Sequence, residues 1–343
     1  MNPKMAIAED TGELTENDLA AADKLKAAYK SLCQQLSRVI VGQEDVIEEL
    51  LIALFSRGHC ILEGVPGLAK TLMISTLSKC LSLDFSRIQF TPDLMPSDIT
   101  GTEVIEENRS TGTREFKFIP GPLFANMILA DEINRTPPKT QAALLEAMQE
   151  RQVTVGRVRH KLSDPFFVLA TQNPIEQEGT YPLPEAQVDR FMLKLRVGYP
   201  TRDEEKEIMR RMAGGEPIAI DRVATPEAVM AARARIADLY MDERIMDYIV
   251  DIVHATRAPA SAGLDDLAPL IEFGASPRAT IALAQASRAN AFLRGRAFVT
   301  PDDVKAIAPD VLRHRVLTTY EAEAEEVTSD DIVTRVLAKI DSP

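Results

Sequence analysis

The pattern of apolar positions divides this chain of 343 residues into two parts with different periodicity. In the first part, short and almost continuously apolar runs alternate with segments of helical spacing. The five runs are residues 59–63, 85–90, 127–131, 166–171 and 191–197. Such runs are typical of parallel strands that helices cover on both faces. We therefore predict an α/β domain whose ligands bind beyond the carboxyl ends of the strands.

The second part, residues 203–312, has helical spacing throughout, and we expect no strand in it. Two of its helices are predicted to begin with a capping hydroxyl before proline, at residues 276–277 and 300–301. A turn at residues 198–201 separates the two parts. The predicted organisation is a flexible segment 1–18, an α/β domain 19–200 that opens with a helix over 19–36, and a helical domain with an acidic terminal helix over 201–343.

Two segments of the α/β part are predicted to be inserted hairpins. The first, near residues 94–120, begins as a short helix and continues into a hairpin with a polar tip. The second covers residues 152–162 and turns at Gly156. Its basic residues suit either contact with a polymer in a pore or a solvated hairpin face. These residues are Arg157, Arg159, His160 and Lys161.

Bulk composition limits the classes of function. Apolar residues make up 45% and charged residues 27%, as in ordinary globular proteins. The sequence shows neither a membrane span nor a secretory signal, and its three scattered cysteines suit a reducing cytoplasm, so we expect a cytoplasmic protein. Its four histidines are isolated, which makes a metal cage of side chains alone improbable. A net charge of −13 argues against nucleic-acid binding, although it leaves room for a local basic patch.

A glycine-containing turn follows the first apolar run. Residues 64–71 read Gly-Val-Pro-Gly-Leu-Ala-Lys-Thr and lead into a helical segment. Such a turn directs backbone N–H groups and the positive end of the helix dipole at one concavity, which suits phosphate. In this pattern Lys70 reaches the β- and γ-phosphates and Thr71 ligates Mg²⁺, while Ala69 stands where glycine is usual. A chance glycine turn ending in Lys-Thr is the alternative.

The predicted nucleotide contacts extend over this turn and one earlier segment. The apolar group around Val41 and Gly42 is a candidate wall for a flat base, although core packing explains it nearly as well. The predicted contacts are Val41, Gly42, Gly64, Pro66, Gly67, Leu68, Ala69, Lys70, Thr71 and Leu72.

Polar residues end the third and fourth apolar runs. Asp131 is placed to hold Mg²⁺, and Glu132 to polarise a water for attack on the γ-phosphate. Asn173 is placed to hydrogen-bond both that water and the phosphate. Each residue alone also suits a solvated turn, but their occurrence at neighbouring strand ends favours a shared site.

Arg278 lies in the first turn of a predicted helix, where the helix dipole disfavours a cation. A phosphate held between the two domains would explain this position, and a surface arginine is the alternative.

The ordered set of motifs resembles the AAA+ ATPases, and within them the MoxR family. The resemblance extends from about residue 40 to the C-terminus. It is carried by residues 64–71, 93–101, 120–124, 129–135, 170–174, 185–191 and 275–278. The family shares alanine at the position of Ala69.

The resemblance implies a P-loop core with five parallel strands in the order 5-1-4-3-2, followed by a helical lid. It implies that Arg190 is an arginine finger inserted into the site of a neighbouring subunit, and that Arg278 is the second sensor. It assigns Lys70 and Thr71 to the phosphate loop, Asp131 and Glu132 to the metal and the water, and Asn173 to the first sensor. Arg135 is a further candidate for contact with the adjoining nucleotide.

The function that the resemblance implies is Mg²⁺-dependent ATP hydrolysis by a ring, expected to be hexameric, that remodels or activates partner proteins. It also suggests metal insertion or maturation in client enzymes, and a partner with a von Willebrand factor A domain. The client itself is not identified. A nucleic-acid motor is disfavoured by the acidity of the chain and by the lack of an added DNA-binding domain. A scaffold that binds ATP without turnover is disfavoured by the intact Glu132, Asn173 and Arg190.

Overall fold

The computed structural model describes residues 16–65, 67–107, 114–173, 179–213 and 218–343, with backbone alone at 16–26, 115 and 212. The strands are β1 Cys60–Glu63, β2 Phe85–Gln89, β3 Gly101–Glu107, β4 Arg114–Pro120, β5 Met127–Asp131, β6 Gln152–Val155, β7 Val158–Lys161, β8 Phe167–Gln172, β9 Leu193–Arg196, β10 Ile271–Phe273 and β11 Leu317–Thr318.

The α-helices, in chain order, are α1 Glu16–Val39, α2 Glu44–Phe55, α3 Lys70–Cys80, α4 Pro96–Thr100, α5 Pro138–Glu150, α6 Glu185–Val188, α7 Arg202–Met212, α8 Pro226–Ala237, α9 Glu243–Arg257, α10 Pro277–Leu293, α11 Pro301–Leu312, α12 Tyr320–Ala324 and α13 Ser329–Lys339. Short 3-10 helices cover Pro122–Phe124, Ile133–Arg135, Pro259–Ala262 and Asp265–Leu270.

Five parallel strands form the central sheet in the order β2-β5-β8-β1-β9. Counted within the sheet this is 5-1-4-3-2, so the expected fold is confirmed. Strands β5 and β8 are almost continuously apolar because side chains alternate between two faces and both faces are covered, whereas β2, at the edge of the sheet, also carries Ser86, Arg87 and Gln89. Leu129 joins the apolar cluster on one face, and its neighbour Ile128 joins the cluster on the other.

The N-terminal helix is longer than predicted. Helix α1 begins at Glu16 rather than Leu19, so it includes residues 16–18 of the predicted flexible segment. Residues 1–15 of the predicted segment lie outside the described residues.

Both predicted hairpins are present, and they pack on one another. Strands β3 and β4 pair antiparallel, as do β6 and β7, while residues 108–113 lie outside the described part. The Phe118 ring stacks on His160 with 3.8 Å between ring centroids. His160 is therefore a packing residue between the hairpins, and neither interpretation offered for the four basic residues applies to it.

The helical region contains one short strand that the periodicity did not predict. Strand β10 lies within residues 203–312 and pairs antiparallel with β11. Three residues are too few for strand alternation to stand out, and the partner comes from a distant segment. One apolar cluster continues from α1–α3 into the lid helices, so the division of the chain at residue 200 remains an interpretation.

None of the helices in the described part of the chain is long and apolar enough to cross a membrane.

Candidate functional site

The turn between β1 and α3 has a strained backbone. Ala69 precedes the first residue of α3 and lies in the left-handed region, with φ of 52°. Gly67 also has positive φ, at 87°, although a Cβ there would meet nothing within 4 Å. An alanine in this region costs about 1–2 kcal/mol relative to the right-handed conformation. The left-handed conformation at Ala69 is a reason for glycine to be usual at this position.

Lys70 is half-buried at the start of α3. Its Nζ donates a hydrogen bond to the carbonyl oxygen of Gly64. Burial lowers the pKa of Lys70 from its ordinary value, while the carboxylates of Asp131 and Glu132 oppose that shift. The ammonium group is therefore hydrogen-bonded to the turn and interacts electrostatically with the two acidic side chains.

The turn and the ends of three strands line one cavity of about 450 Å³. Because β2, β5 and β8 are parallel neighbours, their carboxyl ends meet at one edge of the sheet. Strands β2, β5 and β8 and the residues just beyond them contribute Arg87, Gln89, Asp131, Glu132, Thr171 and Asn173, and the turn and α3 contribute Gly67, Leu68, Ala69, Lys70, Thr71 and Leu72.

Thr171 connects Asp131 and Glu132. Its Oγ1 donates to Asp131 Oδ1 at 2.7 Å and accepts the backbone N–H of Glu132 at 2.9 Å. Glu132 itself has φ of 57°, an unusual value for a residue other than glycine. Strain of this kind persists where surrounding contacts determine the conformation, as they do at functional sites.

The Glu132 carboxylate is held by two side chains. Its Oε2 accepts a hydrogen bond from Gln89 Nε2 at 2.9 Å and forms an ion pair with Arg135 Nε at 3.1 Å. Arg135 was a candidate for contact with the nucleotide of an adjoining subunit, and here it contacts Glu132 of its own chain. Asn173 lines the same cavity and is buried, with 7% of its surface exposed.

The donors on the cavity fit Mg²⁺. Thr71 and Asp131 offer a hydroxyl and a carboxylate, and hard cations prefer such oxygen ligands. In the described parts of the chain, no group of three or more His, Cys, Asp or Glu residues could hold a metal by itself. Proteins usually bind Mg²⁺ by one or two protein oxygens together with phosphate oxygens.

Arg190 and Arg278 lie on a second cavity, of about 240 Å³, which Arg57, Arg151 and Arg315 also line. Asp189 holds this region together. It accepts Arg315 Nε at 2.7 Å and Ser276 Oγ at 3.2 Å, and it forms an ion pair with Arg278 at 3.4 Å. The start of lid helix α10 is thereby connected to the segment that carries Arg190.

Comparison with known proteins agrees with this arrangement. A model of the ATPase family associated with various cellular activities (AAA) matches residues 59–193, and an AAA lid domain model matches 266–336. Chaperone MoxR1 of Mycobacterium tuberculosis is 47% identical over 309 residues, which cover 90% of this chain and 81% of the relative.

Protein MoxR of Paracoccus denitrificans is 32% identical over 87% of this chain and 92% of the relative. A crystal structure from Cytophaga hutchinsonii superposes with a TM-score of 0.88 at 46% identity, over 94% of this chain and 98% of that one. This chain belongs to the MoxR family of AAA+ ATPases.

Three predicted nucleotide contacts of this MoxR-family chain are absent from the described residues that line the cavity of the phosphate loop. Among the described residues lining that cavity, neither Val41 nor Gly42 is present. Gly42 packs against the start of α7, where a Cβ would lie 2.6 Å from Glu204 Oε1. Gly64 is the third, although its carbonyl oxygen accepts the hydrogen bond from Lys70 Nζ, and Pro66 lies outside the described residues.

The sequence analysis assigned no role to Arg87, Gln89, Thr171, Asp189 or Arg315, which line the two cavities of this MoxR-family chain. Arg87 and Gln89 interrupt the second apolar run at alternate positions, and this polar alternation was a usable signal. Asp189 stands beside Arg190 within a motif that the resemblance had already singled out. Arg315 has no local signal, because its partners in residues 189–192 are distant in sequence.

Proposed function

We propose that this MoxR-family chain hydrolyses ATP with Mg²⁺ at the cavity of the phosphate loop. One observation carries the proposal: Lys70, the adjacent Asp131 and Glu132, and Asn173, which come from three separate segments, line a single cavity. Convergence of a phosphate loop, a metal-binding acid and a second acid is the arrangement that phosphoryl transfer to water requires.

The residues have distinct roles in the proposal. Lys70 and the turn bind the β- and γ-phosphates, while Thr71 and Asp131 hold Mg²⁺. Bound magnesium supplies charge neutralisation to the phosphates. Glu132 accepts a proton from the attacking water, and Asn173 orients that water against the γ-phosphate.

Arg190 and Arg278 support action between subunits. Both lie on the second cavity, outside the set of described residues that line the phosphate-loop cavity. We therefore assign both arginines to the nucleotide of a neighbouring copy, in a closed ring that we propose to be hexameric. An arginine supplied in trans is worth about 10³–10⁵ in rate, so the isolated protomer should be nearly inactive.

The relatives support a proposed role beyond ATP hydrolysis. Relatives include one named a chaperone, which supports the remodelling or activation of partner proteins. Metal insertion or complex maturation, a partner with a von Willebrand factor A domain and a cytoplasmic location are finer parts of the same proposal. The net charge of −13 disfavours a nucleic-acid motor.

Glu132→Gln tests the chemistry. We expect phosphate release to fall by about 10²–10⁴-fold because the general base is lost, with nucleotide binding retained. Glu48→Gln is a matched control, because Glu48 is 31% exposed and pairs with Arg294, while Glu132 is 23% exposed and pairs with Arg135. Unchanged phosphate release in Glu132→Gln would overturn the proposal. Stimulation of phosphate release by duplex DNA would favour the motor instead.

Mixing two inactive variants tests the ring. Arg190→Ala retains Glu132, and Glu132→Gln retains Arg190. In a mixture, a complete site therefore forms only where Glu132 of one subunit meets Arg190 of its neighbour. In an equal mixture that assembles randomly, about a quarter of the interfaces are complete, and we expect about a quarter of the normal rate. A protein carrying both substitutions, mixed with Glu132→Gln, should remain inactive. A mixture no faster than its components would contradict action in trans.

A further inference from the structure

Arg87, in the middle of β2, contacts Asp131 directly and is connected to Glu132 through Gln89. Its Nε and Nη2 donate to Asp131 Oδ2 at 3.1 and 2.6 Å. The same Nη2 donates to Gln89 Oε1 at 2.7 Å. Arg87 also lines the phosphate-loop cavity, with 48% of its side chain exposed. The guanidinium is therefore both a partner of Asp131 and accessible from the cavity.

Both carboxylate oxygens of Asp131 already have protein partners. Thr171 Oγ1 donates to Oδ1, and Arg87 donates twice to Oδ2. The side chain of Asp131 is 16% exposed, which limits hydration of these oxygens by bulk water. A divalent cation that draws on Asp131 must therefore share or displace one of these donors.

Arg87 also acts on Glu132 through Gln89. Because Gln89 Oε1 accepts from Arg87, its amide nitrogen is oriented towards Glu132, to which it donates at 2.9 Å. One guanidinium thus neutralises the first carboxylate and orients a donor for the second. Two adjacent carboxylates without a nearby cation would repel each other.

We propose that Arg87 is a built-in counter-ion that competes with Mg²⁺ for Asp131 and so raises the magnesium concentration that nucleotide binding requires. The inference rests on the proposed function, since it assumes that Asp131 takes part in binding the metal of a nucleotide. An arginine is suited to this role because its charge is permanent and its fork can contact two acceptors at once. Its half-exposed position makes the pair weak enough to be exchanged.

The test is a magnesium titration of nucleotide binding. Metal-free protein and a fluorescent ADP analogue are mixed, and MgCl₂ is added until binding saturates. Arg87→Gln removes the competing charge, and we expect half-maximal binding at a magnesium concentration lower by on the order of fivefold, the size expected for a partly exposed ion pair. Arg87→Lys keeps a cation and should restore most of the normal requirement.

Arg38→Gln is the matched control. Arg38 is also 48% exposed and pairs with Asp221, but it lies on α1 and outside the described lining of the cavity. Its titration should overlay that of the unmodified protein.

The possible outcomes distinguish failure of the inference from failure of the proposed function. An equal magnesium requirement in Arg87→Gln and the unmodified protein would overturn the inference alone. A higher requirement, or weaker binding at saturating magnesium, would also overturn it, because Arg87 would then be a phosphate contact. Nucleotide binding by the unmodified protein that does not depend on the magnesium concentration would also overturn the inference. Absence of nucleotide binding by the unmodified protein would overturn the proposed function together with the inference.

Discussion

Asp303 is the buried charge on which the lid should depend most. It is the third residue of α11 and is fully buried. Its Oδ1 accepts hydrogen bonds from Asn290 Nδ2, at 3.0 Å, and from Arg296 Nη2. Its Oδ2 accepts the backbone N–H and the hydroxyl of Thr300 at 2.9 and 2.8 Å. All four contacts are donors, so the site is built for a carboxylate.

We expect Asp303→Asn to destabilise the protein. An asparagine amide must turn its NH₂ towards one pair of donors, so two hydrogen bonds are lost and Arg296 loses its ion-pair partner. Lost hydrogen bonds to charged groups cost about 1.5–3 kcal/mol each, and one broken buried pair costs about 3–5 kcal/mol. Because Arg296 is 30% exposed, water compensates part of the lost interaction. We therefore expect the free energy of unfolding to fall by about 3 kcal/mol, near the lower end of the range for a broken buried pair.

The assay is urea denaturation followed by far-ultraviolet circular dichroism. Asp331→Asn is the control, because Asp331 forms the same capping box with Thr328 at the start of α13 but is exposed. Water can replace its contacts, so the control should lose much less stability than Asp303→Asn. Equal losses in the two variants, or none at Asp303, would refute the argument that burial and Arg296 determine the cost.

Two further predictions concern the buried pair of Glu49 and Asp310 and the first inserted hairpin. Burial, together with the nearby Asp310 carboxylate, raises the pKa of Glu49 to about 9 from an ordinary value of 4.5. The folded state therefore binds a proton more tightly, and the stability this provides below about pH 4.5 is lost as pH rises towards 9. Glu49→Gln should remove this pH dependence, so urea midpoints of variant and unmodified protein should diverge with rising pH; a constant difference would contradict the shift. Gly101→Ala should loosen the hairpin, because φ is 95° and the new Cβ would lie 2.3 Å from the Ile119 carbonyl oxygen. Limited proteolysis should then cut the hairpin faster, whereas Gly198→Ala, with nothing within 4 Å, should be neutral; equal cutting would contradict this.

Much of the fold was predictable because the underlying signals are local. Continuous apolar runs indicate strands that are buried on both faces, and the five predicted runs correspond to the five strands of the central sheet, although β2 also carries Ser86, Arg87 and Gln89. The expected convergence of the phosphate loop with Asp131, Glu132 and Asn173 also follows from local order. Each residue follows or ends a strand of a parallel sheet, and such ends share an edge.

Contacts between distant segments were decided only by the tertiary structure. No periodicity connects Arg315 with Asp189, Arg87 with Asp131, or His160 with Phe118. The separate cavity of Arg190 and Arg278 likewise depends on how the lid packs against the α/β part. Sequence patterns report the environment of a residue along its own strand or helix. Which side chains meet across elements depends on their packing, and that is set by the whole core at once.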